Sequence, residues 1–144
     1  NAVKVPKDAP LELLGPLGCG IQTGAGAVIN ALKVTPGSRF AAFGAGAVGL
    51  ASIMAAKIAG ATTIIAIDII PSRLELAKEL GATHTINSKE ESVVERIQQI
   101  SGGGVDFALE STGRPEVLRQ GVDALGGLGM LGGGGSCFGH RGRF

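Results

Sequence analysis

Arg39-Phe40-Ala41-Ala42-Phe43 runs directly into Gly44-Ala45-Gly46-Ala47-Val48-Gly49, and this stretch decides the fold. Its first half has the length and apolarity of a strand buried on both faces. Its second half opens a segment, Ala47 to Ala59, whose small and apolar residues leave little polar surface, as expected of an interior helix. A Gly-x-Gly-x-x-Gly between strand and helix has a physical purpose at each glycine. Gly44 permits the sharp turn, Gly46 lets the backbone approach a pyrophosphate resting on the helix N-terminal amides, and Gly49 lets the helix pack closely on the strand.

Downstream, short apolar runs alternate with helical patterns. Thr62 to Ile67 is β-branched and apolar, a second strand, and Pro71 then opens a helix with Leu74, Ala77 and Leu80 on one face before Gly81. His84-Thr85-Ile86 is a weak third strand. Ser88 with Glu91 three residues on predicts a capping box for a helix carrying Val93, Ile97 and Ile100, stopped by Gly102-Gly103-Gly104. Val105 to Glu110 is a fourth strand, and Pro115 opens a last helix with Leu118, Val122 and Leu125 at helical spacing. The alternation predicts an α/β fold, a doubly wound parallel sheet of strand order 3-2-1-4-5. Met130-Leu131 followed by four glycines predicts a weak fifth strand, so the sheet is expected to be incomplete at its C-terminal edge. Before the first strand, Leu11 to Leu32 is rich in glycine, and its second half, roughly Gln22 to Leu32, fits a tightly packed helix leading through a Lys33–Gly37 turn into the sheet.

At 144 residues the chain has the size of one domain. Thirteen Lys and Arg against 12 Asp and Glu leave a formal charge of +1, which disfavours nucleic acid or an acidic membrane as partner. Two cysteines, Cys19 and Cys137, form no disulfide framework, and without a secretory signal or a long apolar span the expectation is a soluble, cytoplasmic protein. Only five aromatic residues, all Phe, stand beside 25 Gly, so the core must be Ala, Val, Ile and Leu. Nine of those glycines fall between Gly126 and Gly142, a density that predicts little buried structure there. The opening Asn1-Ala2-Val3-Lys4-Val5-Pro6 reads like the middle of something larger.

Asp68 stands 19 positions after Gly49, at the end of the second strand. There it would accept hydrogen bonds from both hydroxyls of an adenosine ribose and repel a 2′-phosphate, which favours NAD over NADP. Arg73 either stacks near the adenine and ribose or is a solvated surface charge. Two other readings of the glycine turn are a helix-packing turn with no ligand and a methyltransferase loop; Gly49 fits a dinucleotide binder better.

Gly18-Cys19-Gly20 with Thr23-Gly24, then Gly44 to Leu50, Asp68, Ala77 to Ala82 and Val105-Asp106-Phe107, together resemble the coenzyme domain of zinc-dependent medium-chain alcohol dehydrogenases, most of all the bacterial aryl or benzyl alcohol dehydrogenases. The resemblance runs from about Val3 to about Gly129 and implies a Rossmann fold. It implies that Cys19 is a catalytic-zinc ligand and that Thr23 contacts the nicotinamide end. Gly44, Gly46, Ala47, Val48 and Gly49 would form the pyrophosphate turn, Asp68 and Arg73 the ribose site, and Ser111, Thr112 and Arg114 the adenine-side wall. It further implies residues 1–37 as a linker and connecting helix from a catalytic domain not in this chain, 38–129 as the NAD-binding domain and 130–144 as an atypical glycine-rich tail. The implied reaction oxidises a primary alcohol, aromatic alcohols included, to an aldehyde by zinc-assisted hydride transfer to NAD, in a homo-oligomeric parent enzyme. The family's fifth strand is Val-rich and its sixth pairs between subunits; Gly132 to Gly135 and the basic Arg141-Gly142-Arg143-Phe144 depart from that pattern and predict a lost sixth strand and an open sheet edge.

A catalytic zinc needs three protein ligands and an open position. The family's other ligands have no counterpart here, and a lone Cys in an apolar stretch is usually a small buried hydrophobe. Cys137 with His140 is a weak metal signal, and His84 reads as structural or surface. The chain by itself is therefore expected to bind cofactor without turnover. A stand-alone NAD-binding or sensing module, and a zinc-free NADPH quinone reductase domain, are the alternatives; Asp68 and Cys19 speak against the second.

Overall fold

A computed structural model of the chain describes residues 4–133 and 136–139. The six strands are β1 (Arg39–Phe43), β2 (Thr63–Asp68), β3 (His84–Asn87), β4 (Val105–Glu110), β5 (Leu125–Gly133) and β6 (Ser136–Gly139), in the order β3-β2-β1-β4-β5-β6. The first five run parallel, in the expected order, and β6 returns antiparallel to β5. Six helices accompany them: α1 (Leu11–Leu14), α2 (Gly20–Gly26), α3 (Ala47–Ile58), α4 (Pro71–Leu80), α5 (Val93–Ser101) and α6 (Pro115–Asp123). Among the described residues no helix is long and apolar enough to cross a membrane.

Both sheet faces are covered, and the two-residue period of β1 shows it. Phe40 and Ala42 join a cluster with Val28, Leu32, Ile53, Ile64, Leu74 and Ala77, on the side of α2, α3 and α4. Ala41 and Phe43 join Ile65, Ile67, Ile86, Ile97, Val105 and Leu131 on the side of α5 and α6. At the amino ends of β1 and β4, Arg39 grips Asp106 in a fork, Nη2 to Oδ1 at 2.6 Å and Nε to Oδ2 at 3.0 Å, while Nη1 donates to the Ser101 carbonyl at 2.8 Å. This fork lies at the opposite end of the strands from the glycine turn.

Two expectations are corrected. The expected helix over 22–32 begins at Gly20 as α2 and widens into a π-helical turn over Ala27–Leu32, with Val28 and Leu32 both buried beneath the sheet. The Ser88–Glu91 capping box does not form. Asn87 captures the segment instead: its side-chain oxygen accepts the Lys89 N–H at 3.1 Å and its carbonyl accepts the Glu90 N–H at 3.0 Å, so α5 starts only at Val93. The fifth strand, expected to be weak, is assigned over nine residues but pairs with β4 only at Leu125 and over Met130–Gly133. Its glycines serve close approach. A Cβ at Gly129 would lie 2.8 Å from the Val105 carbonyl oxygen, and one at Gly132 would lie 3.3 Å from the Leu109 side chain. Here the β4–β5 register shifts between Val105 and Phe107, and only glycine lets the two backbones pass. Beyond β5 the chain folds back as β6, antiparallel and paired within the chain, so it is not the strand pairing between subunits whose loss was expected.

Candidate functional site: a crevice at the carboxyl ends of the strands

The strand order reverses at β1, between β2 and β4, and a crevice of about 520 Å³ opens over the carboxyl ends of these strands. Its floor is the glycine turn. Gly44 takes φ +95°, a conformation other residues avoid, and donates its N–H to the Ile67 carbonyl at 2.8 Å. A Cβ at Gly49 would overlap the Gly44 carbonyl oxygen, so the first turn of α3 sits directly against the loop. Gly46 has nothing within 4 Å of where its Cβ would lie, so its backbone is open to a ligand. As N-cap of α3 it supplies no side-chain cap to the helix amides.

On the β2 side stands Asp68, 8% exposed. Oδ2 accepts the Ala45 N–H at 2.7 Å, and Oδ1 accepts the N–H groups of Ile69 at 2.7 Å and Ile70 at 2.9 Å. The carboxylate thus fastens the glycine turn to the end of β2. Arg73, from the first turn of α4, brings Nη1 to 3.9 Å of Oδ2 while half its side chain stays exposed. On the β4 side, the Ser111 N–H and hydroxyl both reach the Phe43 carbonyl at 3.0 Å. Arg114 pairs with Glu116, Nη2 to Oε1 at 2.7 Å. The Glu116 carboxyl is held below the ordinary carboxylate range, first by its own backbone N–H and then by Arg114.

Of the residues expected from sequence, Gly44, Gly46, Asp68, Arg73, Ser111, Thr112 and Arg114 line this one crevice. Ala47, Val48 and Gly49 form the first turn of α3 immediately behind it. Thr23 and Cys19 do not line it. They lie on and just before α2, both exposed, and α2 packs on α3 through Gly24 and Gly20, whose Cβ would meet Ala47 at 2.9 Å. Cys19 is exposed, so the alternative reading of it as a small buried hydrophobe does not hold. Sequence reasoning missed Ser88 and Lys89, which line the crevice because the Ser88 N–H donates to the Asp68 carbonyl at 3.1 Å. It also missed Glu110, an acid on the last residue of a strand ahead of Ser-Thr-Gly, which is the signal that marks it.

A dinucleotide fits this donor set: an open glycine backbone at a helix N-terminus, a buried carboxylate beside it, and cationic side chains at the rim. Zinc does not. Among the described residues no three His, Cys, Asp or Glu side chains gather, Cys19 stands alone, and His140 lies outside the described residues, as do Arg141 to Phe144.

Residues 47–141 match the zinc-binding dehydrogenase family. A probable alcohol dehydrogenase of a Pseudomonas species is 49% identical over 91% of this chain and 42% of its own length, and the geraniol dehydrogenase of Castellaniella defragrans is 46% identical over 92% of the chain and 36% of its own. The benzyl alcohol dehydrogenase of Acinetobacter calcoaceticus superposes with a TM-score of 0.88 at 65% identity, covering 99% of this chain and 39% of that one. The chain thus spans about two fifths of the length of these relatives. Within that span the likeness extends over nearly every element described above, and the chain belongs to the zinc-binding dehydrogenase family.

Proposed function

We propose that this chain binds NAD in the crevice and serves as the cofactor-binding part of an alcohol dehydrogenase acting on a primary alcohol, with an aromatic alcohol favoured by the 65% identity to a benzyl alcohol dehydrogenase. The observation that carries the reading is Asp68. A carboxylate has about four acceptor positions, and three here are filled by Ala45, Ile69 and Ile70, so the charge is fixed in place beside the glycine turn with acceptor capacity remaining. A ribose diol satisfies that capacity, whereas a 2′-phosphate would meet a buried negative charge. In this reading the amides at Gly46 and the start of α3 receive the pyrophosphate, Asp68 and Arg73 hold the adenosine ribose, and Ser111, Thr112 and Arg114 form the wall of the site. NAD when bound supplies the hydride acceptor. The contribution of this chain is binding energy and orientation, and without a gathered set of metal ligands it binds the dinucleotide without turning alcohol over.

Calorimetric titration with NADH and then NADPH tests this. NADH should bind the chain more tightly than NADPH, and Asp68→Gly should weaken NADH by about tenfold or more while narrowing the gap to NADPH. A chain that melts cooperatively yet binds neither nucleotide, or that prefers NADPH, would overturn the proposal.

A further inference from the structure

The loop that follows β4 is organised by a carboxylate with no task in the reading above. Glu110, the last residue of β4, is 6% exposed. Its Oε1 accepts the N–H groups of Thr112 at 2.6 Å and Gly113 at 3.1 Å, and also the Thr112 hydroxyl. A carboxylate so far from water is tolerated only when its acceptor positions are filled, so Glu110 and the loop order each other. With its hydroxyl drawn to Glu110, Thr112 turns its methyl toward the glycine turn. A Cβ at Gly44 would lie 2.9 Å from that methyl carbon and 2.9 Å from Ser111 Oγ. Ser111 in turn holds the Phe43 carbonyl, one residue before the turn.

The two carboxylates therefore bracket one loop. Asp68 binds the glycine turn directly from β2; Glu110 reaches it from β4 through Thr112 and Ser111. We propose that Glu110 is a positioning residue that presses Thr112 and Ser111 onto Gly44 and so holds the glycine turn in the shape that receives the dinucleotide. The claim about affinity rests on the NAD reading above. The claim about the turn does not.

The two are separated by measuring amide hydrogen exchange in the nucleotide-free 144-residue chain, followed by NADH titration. Glu110→Ala leaves the loop donors without their acceptor, whereas Glu110→Gln keeps an amide oxygen that can still accept. In the Ala variant, exchange should quicken about tenfold or more at Thr112 and Gly113 and also at Gly44 and Ala45, with Ile65 in β2 unchanged. Its NADH affinity should fall about tenfold, and the Gln variant should recover most of both effects. Thr112→Val keeps the shape of the side chain and removes its hydroxyl, so it should show the same pattern at smaller amplitude, and it carries the test if Glu110→Ala does not fold. Faster exchange confined to Thr112 and Gly113, or a rise shared equally by Ile65, overturns the positioning role. If the wild-type chain binds no NADH, the NAD reading fails while exchange at Gly44 and Ala45 still decides the inference.

Discussion

Gly46 and Gly49 are three residues apart and answer to different masters. A Cβ at Gly49 collides with the Gly44 carbonyl oxygen, so Gly49→Ala should destabilise the fold by about 1–3 kcal/mol or more, read from its thermal melt. Gly46 is open and its φ of −81° suits any residue, so Gly46→Ala should leave stability within about 0.5 kcal/mol of wild type while NADH affinity falls at least about tenfold. Equal loss of stability in both variants would mean that Gly46 serves packing instead of a ligand. Asp68 combines the two roles. Asp68→Asn places a donor where backbone donors converge, so it should lower stability by about 1.5–3 kcal/mol as well as erode the preference for NADH, and an unshifted melt would contradict the hydrogen bonds assigned to it. These residues are legible in the sequence because their purpose is local: a turn, a helix start, a strand end. Glu110 carries only the local mark of a strand-end acid ahead of Ser-Thr-Gly, because the loop it holds meets a glycine more than sixty positions earlier.

At the scale of elements, the Arg39–Asp106 fork ties β1 to β4 and has a pH signature. The Arg39 side chain holds the Asp106 carboxyl below its ordinary value, and Asp106 in turn raises that of Arg39. A lowered carboxyl stabilises the fold fully above its unfolded value, near pH 4, and the gain is lost as pH falls through the folded value. The melting temperature should therefore drop on acidification below about pH 4, less steeply in Asp106→Asn. With the side chain 38% exposed, solvent screening keeps the effect to about 1 kcal/mol or less. A second expectation concerns β5: Leu131→Ala should cost about 2–5 kcal/mol, since Leu131 is fully buried against Phe43 and Gly121. A change near zero would mean that β5 is not packed. The four parallel strands and their helices were legible from the alternation of apolar runs with helical patterns. The glycines of β5 were not, because the sequence shows only their entropy, while the Val105 carbonyl and the Leu109 side chain they approach are brought there by the fold. Ser88 and Glu91 misled for a related reason: the cap residues have the right spacing, but Asn87 holds the same backbone first.

For the molecule as a whole, three strands deliver their loops to one crevice: the glycine turn from β1, Asp68 and the start of α4 from β2, and Ser111 to Arg114 from β4. A resemblance read from spaced motifs and a match across residues 47–141 agree on the family, and the crevice gives that agreement a physical content. Cys19 and Thr23 stand apart from it on the α2 side of α3, and among the described residues no three His, Cys, Asp or Glu side chains gather. The central claim is therefore that a single dinucleotide engages all three loops together. Amide chemical-shift mapping of the labelled chain during NADH titration tests it most directly. The account predicts saturable shifts that share one dissociation constant at Gly44–Gly49, Asp68–Arg73 and Ser111–Arg114, with the Arg39–Asp106 end of the sheet unmoved. Shifts absent from these three loops, or confined to one of them, would contradict it.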